Sequence, residues 1–163
     1  MAPGLKTLAV LATGIVAALV IAAAPANAAS GEQGVHITKL IIEPRGPDFN
    51  VTVHYSTSFM TKIFSLLFGA RVVQPGIVDQ LDGFGDVRLA SIDTYNQVAK
   101  LTVKNQSRPF NGMYLYDGDA TFPVAIDLIQ VTGDAVDQPL NVSNAAEVPA
   151  FFYRINASSQ SSF

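Results

Sequence analysis

The sequence predicts a mainly β fold, an antiparallel β-sandwich of immunoglobulin-like or jelly-roll-like type with one short helix inserted near residues 58–69. Three observations carry this expectation. Two-residue alternation of apolar and polar side chains recurs in short runs, clusters of Gly, Pro, Asp and Asn separate those runs, and a single stretch changes to helical spacing. The chain has 163 residues and no cysteine, so its fold needs no disulfide, and thiolate metal sites and a cysteine nucleophile are excluded.

The N-terminus predicts where the protein works. Lys6 precedes an uncharged apolar run from Leu8 to Ala24, and Ala26-Asn27-Ala28 offers small residues at alternate positions to a signal peptidase. Residues 1–28 are therefore expected to be a signal peptide, and the mature chain to be secreted or displayed at the cell surface. The alternative is an uncleaved anchor, because the run approaches the ~20 residues that cross a hydrocarbon core. Residues 29–34 form a polar leader, residues 35–155 a single β-rich domain, and the Ser-rich residues 156–163 a disordered tail.

The first hairpin is expected from alternation over Val35 to Ile42 and Asp48 to Tyr55 around the turn-forming cluster Glu43-Pro44-Arg45-Gly46-Pro47. Setting Ile41 opposite Phe49 collects Val35, Ile37, Val51, Val53 and Tyr55 on one face with Lys39. The other face then pairs His36 with His54, Thr38 with Thr52 and Leu40 with Asn50. Helical spacing follows in Phe59, Met60, Ile63, Phe64, Leu67 and Phe68, with Ser58 to cap the start and Gly69 to close the end. Its apolar arc is wide and Lys62 is its one charge, so a helix packed into the core is expected, with Phe64→Ala costing about 3 to 5 kcal/mol. The alternative is a helix that binds a groove or touches a membrane, although such helices carry a more strongly charged opposite face.

The segments Gln74-Pro75-Gly76 and Asp82-Gly83-Phe84-Gly85-Asp86 read as loops. A second ribbon is expected from Val87–Tyr95 and Val98–Lys104 closed at Asn96-Gln97, pairing Ile92 with Leu101 and Asp93 with Lys100. Residues 112–116 and 121–131 predict a third around Asp117-Gly118. The run from Val124 to Val131 suits a central strand covered on both sides, and a last strand is expected around Pro149 to Ile155.

Charge excludes one class of partner. The formal net charge is −3 and the basic residues are scattered rather than clustered, which argues against nucleic acid. No later segment reaches spanning length, so membrane contact is expected only through the N-terminal segment if it stays uncleaved.

Chemistry-bearing residues are few. Four N-glycosylation sequons begin at Asn50, Asn105, Asn141 and Asn156, all at strand ends, in loops or on the polar face. His36 and His54, placed opposite each other by the expected register, could ligate a divalent metal if carboxylates joined them, but no HxH, HExxH or HxxxH spacing accompanies them. Asp79, Asp82 and Asp86, with Asp117 and Asp119, are candidate calcium-binding loops, although turn chemistry places Asp beside Gly equally well. No Gly-x-Ser-x-Gly elbow and no phosphate-binding glycine loop occurs.

The favoured reading is a non-enzymatic envelope or extracellular module for binding, adhesion or assembly, without a cofactor. Its partners would be an envelope or extracellular protein, or copies of itself joined by strand addition at the first hairpin. The alternative is an exported hydrolase or metal-dependent enzyme built on His36, His54 and loop carboxylates, with calcium or another divalent metal.

Overall fold

The structure, a computed structural model, describes residues 34–154. The expected signal peptide, most of the leader, the tail and the Asn156 sequon lie outside the described residues. The strands are β1 (Val35–Arg45), β2 (Asp48–Thr57), β3 (Val87–Asp93), β4 (Val98–Val103), β5 (Arg108–Phe110), β6 (Met113–Tyr116), β7 (Thr121–Val131), β8 (Leu140–Glu147) and β9 (Phe151–Arg154). Between β2 and β3 lie helix α1 (Phe59–Phe68), a 3-10 turn at Ala70–Val72, helix α2 (Gln74–Gln80) and a second 3-10 turn at Asp82–Phe84. The fold is mainly β, with two α-helices where one was expected.

Six strands form one sheet in the order β3-β4-β2-β1-β7-β8, and β5-β6-β9 form a small second sheet. The large sheet is mixed and not wholly antiparallel, because β7 runs parallel to β1. Parallel neighbours cannot be joined by a tight turn; here β2 carries the chain back to the starting end of β1, and the segments from α1 to β6 complete the connection to β7. The first hairpin consequently lies inside the sheet, with β7 beside β1 and β4 beside β2. It offers no free edge for strand addition; the edges of this sheet are β3 and β8.

The first hairpin closes later than its sequence pattern predicts. β1 runs on through Glu43, Pro44 and Arg45, the turn is Gly46-Pro47, and Arg45 faces Asp48. A bulge between Ile37 and Lys39 switches the inward parity. Leu40 and Ile42 join Ile37 in the core, whereas Lys39 and Ile41 turn to the other face opposite His54 and Thr52. Strict alternation cannot anticipate an inserted residue: the later turn moves the pairs from Lys39 to Arg45 away from the expected register, and the bulge shifts those from Val35 to Ile37 by one residue relative to them.

The second ribbon also closes differently, with Ile92 facing Ala99, Ser91 facing Lys100 and Asp93 facing Val98. Asp93 sets the longer turn: its Oδ1 accepts from the amides of Tyr95 and Asn96 at 3.0 and 2.9 Å, and its Oδ2 from the Asn96 side chain at 2.7 Å. These bonds, the Asn96 amide foremost, hold the Asp93 carboxyl below its usual range.

No hairpin forms at Asp117-Gly118. β6 pairs with β5 and β9, while β7 leaves for the large sheet beside β1 and β8. Gly118, at φ +79°, crosses between the sheets so close to the chain after β8 that a Cβ would lie 2.8 Å from the Ala150 amide nitrogen. The hairpin signal used instead is Asn111-Gly112, with φ values of +50° and +79°, which joins β5 to β6. Strand β7 is interior but not covered on both sides. Ile126, Ile129 and Val131 are buried, whereas Asp127 is exposed and Leu128 and Gln130 are half-buried.

The stretch expected to be loop contributes much of the core. Val73, Ile77 and Leu81 recur every four residues, Pro75 sits in the first turn of α2 where its missing N–H costs nothing, and all three apolar side chains are fully buried with Phe84 close behind. Gln80 fixes this segment to the start of β1 by donating to the Val35 carbonyl at 2.8 Å. The small sheet packs at the opposite end of the first hairpin. Phe49 meets Tyr116, Phe151 and Tyr153 at ring separations of 5.3, 5.8 and 6.2 Å, and the Tyr153 hydroxyl donates to the Gly46 carbonyl at 2.7 Å.

Burial pushes the Tyr116 and Tyr153 hydroxyls up to about 12. The folded state therefore favours both neutral phenols, and their contribution to stability is complete below about pH 10, the ordinary tyrosine value. It is lost as pH rises from there towards about 12. Alkaline titration should show tyrosinate absorbance from these two residues appearing together with unfolding; ionisation at the ordinary value in a folded protein would contradict the packing.

Candidate functional site: the outward face of helix α1

The helix starts and ends where its sequence places it. The Ser58 hydroxyl accepts from the Thr61 amide at 3.2 Å, the Lys62 amide donates to the Ser58 carbonyl at 2.9 Å, and Gly69 closes the last turn by donating to Ser65 at 2.8 Å. Its orientation is the reverse of the expected one. At about 100° per residue, Leu66, Phe59, Ile63, Leu67, Met60, Phe64 and Phe68 cover an arc of about 200°, leaving Thr61, Ser65 and Lys62 on the remainder. The polar side meets the domain: Ser65 is 3% exposed and is the one buried residue of α1, its hydroxyl donating to the Lys62 carbonyl at 2.9 Å.

The apolar arc faces water. Phe59 is 75% exposed, Leu67 70%, Phe68 65% and Phe64 45%. Phe64 and Phe68 stack on one another at 6.1 Å rather than on the core. The helix is thus not packed into the interior, and the large cost expected for Phe64→Ala does not apply to it. A wide outward arc of this kind is unusual, since monomers seldom leave large contiguous apolar patches in water. Periodicity revealed that arc but carries no sign of which way it points.

The entry of the chain is built into the same site. The Ser58 amide donates to the Gly34 carbonyl at 3.1 Å. Gly34 lies so near the first turn of α1 that a Cβ would collide with the Thr61 hydroxyl and sit 3.4 Å from the Ser58 hydroxyl. The described chain therefore begins beside the N-terminus of α1. A shallow groove opens alongside, lined by Val35, His36, Ser56, Gln80 and Val124.

The two histidines are not opposite each other. His36 faces Ser56 and its Nε2 lies 3.0 Å from Asp127 Oδ1, whereas His54 faces Lys39. Among the described residues no group of three or more His, Cys, Asp or Glu side chains is arranged to hold a metal ion. Asp79 belongs to α2 and Asp82 begins the following 3-10 turn. Asp86 pairs with Arg88, and Asp117 holds Arg108 through two bonds of 2.8 and 3.1 Å. Asp119 stands beside the Tyr116 hydroxyl.

The described sequons differ in setting. Asn50 lies within β2 between Glu43 and Thr102 and is half-buried, whereas Asn105 follows β4 and Asn141 lies on edge strand β8, both exposed. Comparison of the chain with protein-family models, with curated proteins and with solved structures finds no match.

Proposed function

We propose that this protein is an exported, non-enzymatic module of the cell envelope or extracellular space, and that the outward arc of α1 is its contact surface for binding, adhesion or assembly. The observation that carries this reading is the inversion of α1, which turns Ser65 inward and Phe59, Phe64 and Leu67 outward. Apolar side chains in water are favourable only once something covers them, at roughly 25 cal/mol per Å² removed from solvent. The N-terminal apolar run and Ala26-Asn27-Ala28 support the location. The rest of the domain serves as a scaffold in this reading, an unequal sandwich in which the large sheet and the small sheet enclose Phe49 and hold α1 at one end.

A photo-reactive amino acid at Leu67, introduced in the native host, tests the proposal. Crosslinks from position 67 to an extracytoplasmic component are expected, with none from a control at exposed Asn111. Absence of crosslinks at position 67, or recovery of the protein from the cytosol, would contradict it.

A further inference from the structure

The occupant of the arc follows from its shape, its charge and the route of the chain. We propose that α1 is a membrane-surface helix whose apolar arc inserts into the interfacial layer of a lipid bilayer, an inference that rests on reading α1 as the contact surface.

Shape is the first argument. The arc covers about 200° of a protruding helix, more than half its circumference. A protein groove would have to wrap that helix, whereas a bilayer covers a convex surface without shape complementarity. The absence of a strongly charged opposite face, which weighs against a free interfacial helix, loses its force here. The side of α1 away from the arc rests on the domain through Ser65 and needs no solvation of its own. Lys62 at the border of the arc and Arg71 just past the helix are both exposed, where long cationic side chains can lay their stems along the acyl boundary and reach phosphate groups.

The route of the chain is the second argument. Gly34 is bonded to Ser58 and packed against Thr61, so the described chain begins at the foot of α1. The uncharged run from Leu8 to Ala24 is the one segment apolar over a length that approaches a bilayer span, and the residues between it and Gly34 can extend at most about 35 Å. A chain still held in the membrane by that run keeps α1 within reach of the same surface. The helix then acts as a second attachment, which orients the domain and persists as a weaker, reversible contact after cleavage. With a net charge of −3, apolar insertion rather than attraction to anionic lipid drives the contact, so zwitterionic phosphatidylcholine, which has no net charge, should suffice.

The chain contains no tryptophan, so Phe64→Trp in the full chain creates a unique reporter. On phosphatidylcholine vesicles with brominated acyl chains, emission from the indole at position 64 should shift to shorter wavelength and lose most of its intensity to the bromines. Leu67→Trp should report the same. Phe152→Trp, on the small sheet at the far end of the domain, should stay unquenched by the bromines, which separates insertion of α1 from attachment through the N-terminal run alone. Emission from the Phe64→Trp variant that remains at long wavelength and open to aqueous iodide on vesicles would overturn the proposal. A blue shift that needs no vesicles and grows with protein concentration would name a second copy as the occupant, overturning the bilayer while leaving α1 a contact surface. Protection of the same indole in a dilute monomer without vesicles would overturn both readings.

Discussion

Phe49→Ala should lower the stability of the domain by about 3 to 5 kcal/mol, the range for deleting a fully buried aromatic side chain. Phe49 is wholly inaccessible and touches Tyr116, Phe151 and Tyr153, so its ring joins the first hairpin to both longer strands of the small sheet. Removing it leaves a cavity where the two sheets meet, and the Tyr153 hydroxyl bond to Gly46 is then held by fewer neighbours. Denaturant unfolding should show a lower midpoint with an unchanged slope. A loss below about 1 kcal/mol would mean that the small sheet does not pack on Phe49.

Gly83→Ala is the second substitution with a large expected effect, although Gly83 is exposed and its φ is unremarkable. A Cβ there would strike the Thr121 carbonyl oxygen and lie 2.9 Å from both the carbonyl carbon and the amide nitrogen of the same residue. Backbone atoms cannot swing aside as a side chain can, so the 3-10 turn and the start of β7 must separate. That movement would loosen the contact of Phe84 with Phe122, whose rings lie 5.3 Å apart. A cost of about 3 kcal/mol is expected, at the upper end for overpacking. A neutral result in the unfolding midpoint would show that this turn is free to shift.

What was legible in the sequence was local. Ser58 and Gly69 bound α1 as read, because capping depends on residues in the same turn. The strands of both ribbons were legible from alternation, but their registers were not, since both turns close at other residues than the sequence suggests, and bulges near Thr38 and Ala90 each shift the pairs beyond them by one residue. Helix α2 is hidden by Pro75-Gly76, which reads as a breaker, although Val73, Ile77 and Leu81 carry a four-residue period. Asn111-Gly112 is a hairpin signal as strong as Asp117-Gly118, and the choice between them rests on which strands pair across the small sheet. β8, with Asn141, Asn144 and two alanines, has little β propensity and is held by pairing with β7.

The candidate site shows the same division. Periodicity identified the apolar arc of α1 except for Leu66 at its border, and wide arcs in small domains are usually inside. The direction of the arc depends on what α1 docks against, and that is a tertiary matter. Only Ser65, a small polar residue with a hydroxyl satisfied by its own helix, could have indicated the inner face in advance. The histidines illustrate the converse, a pairing inferred from register that vanished when the register moved.

The unfolding midpoint of Phe64→Asp, measured in denaturant beside the unaltered chain, tests the inversion of α1 most directly. An outward Phe64 predicts a change within about 0.5 kcal/mol, as for surface substitutions elsewhere. A loss of several kcal/mol, the cost of an unpaired carboxylate forced into an apolar interior, would place Phe64 inside and remove the contact surface on which the functional account depends.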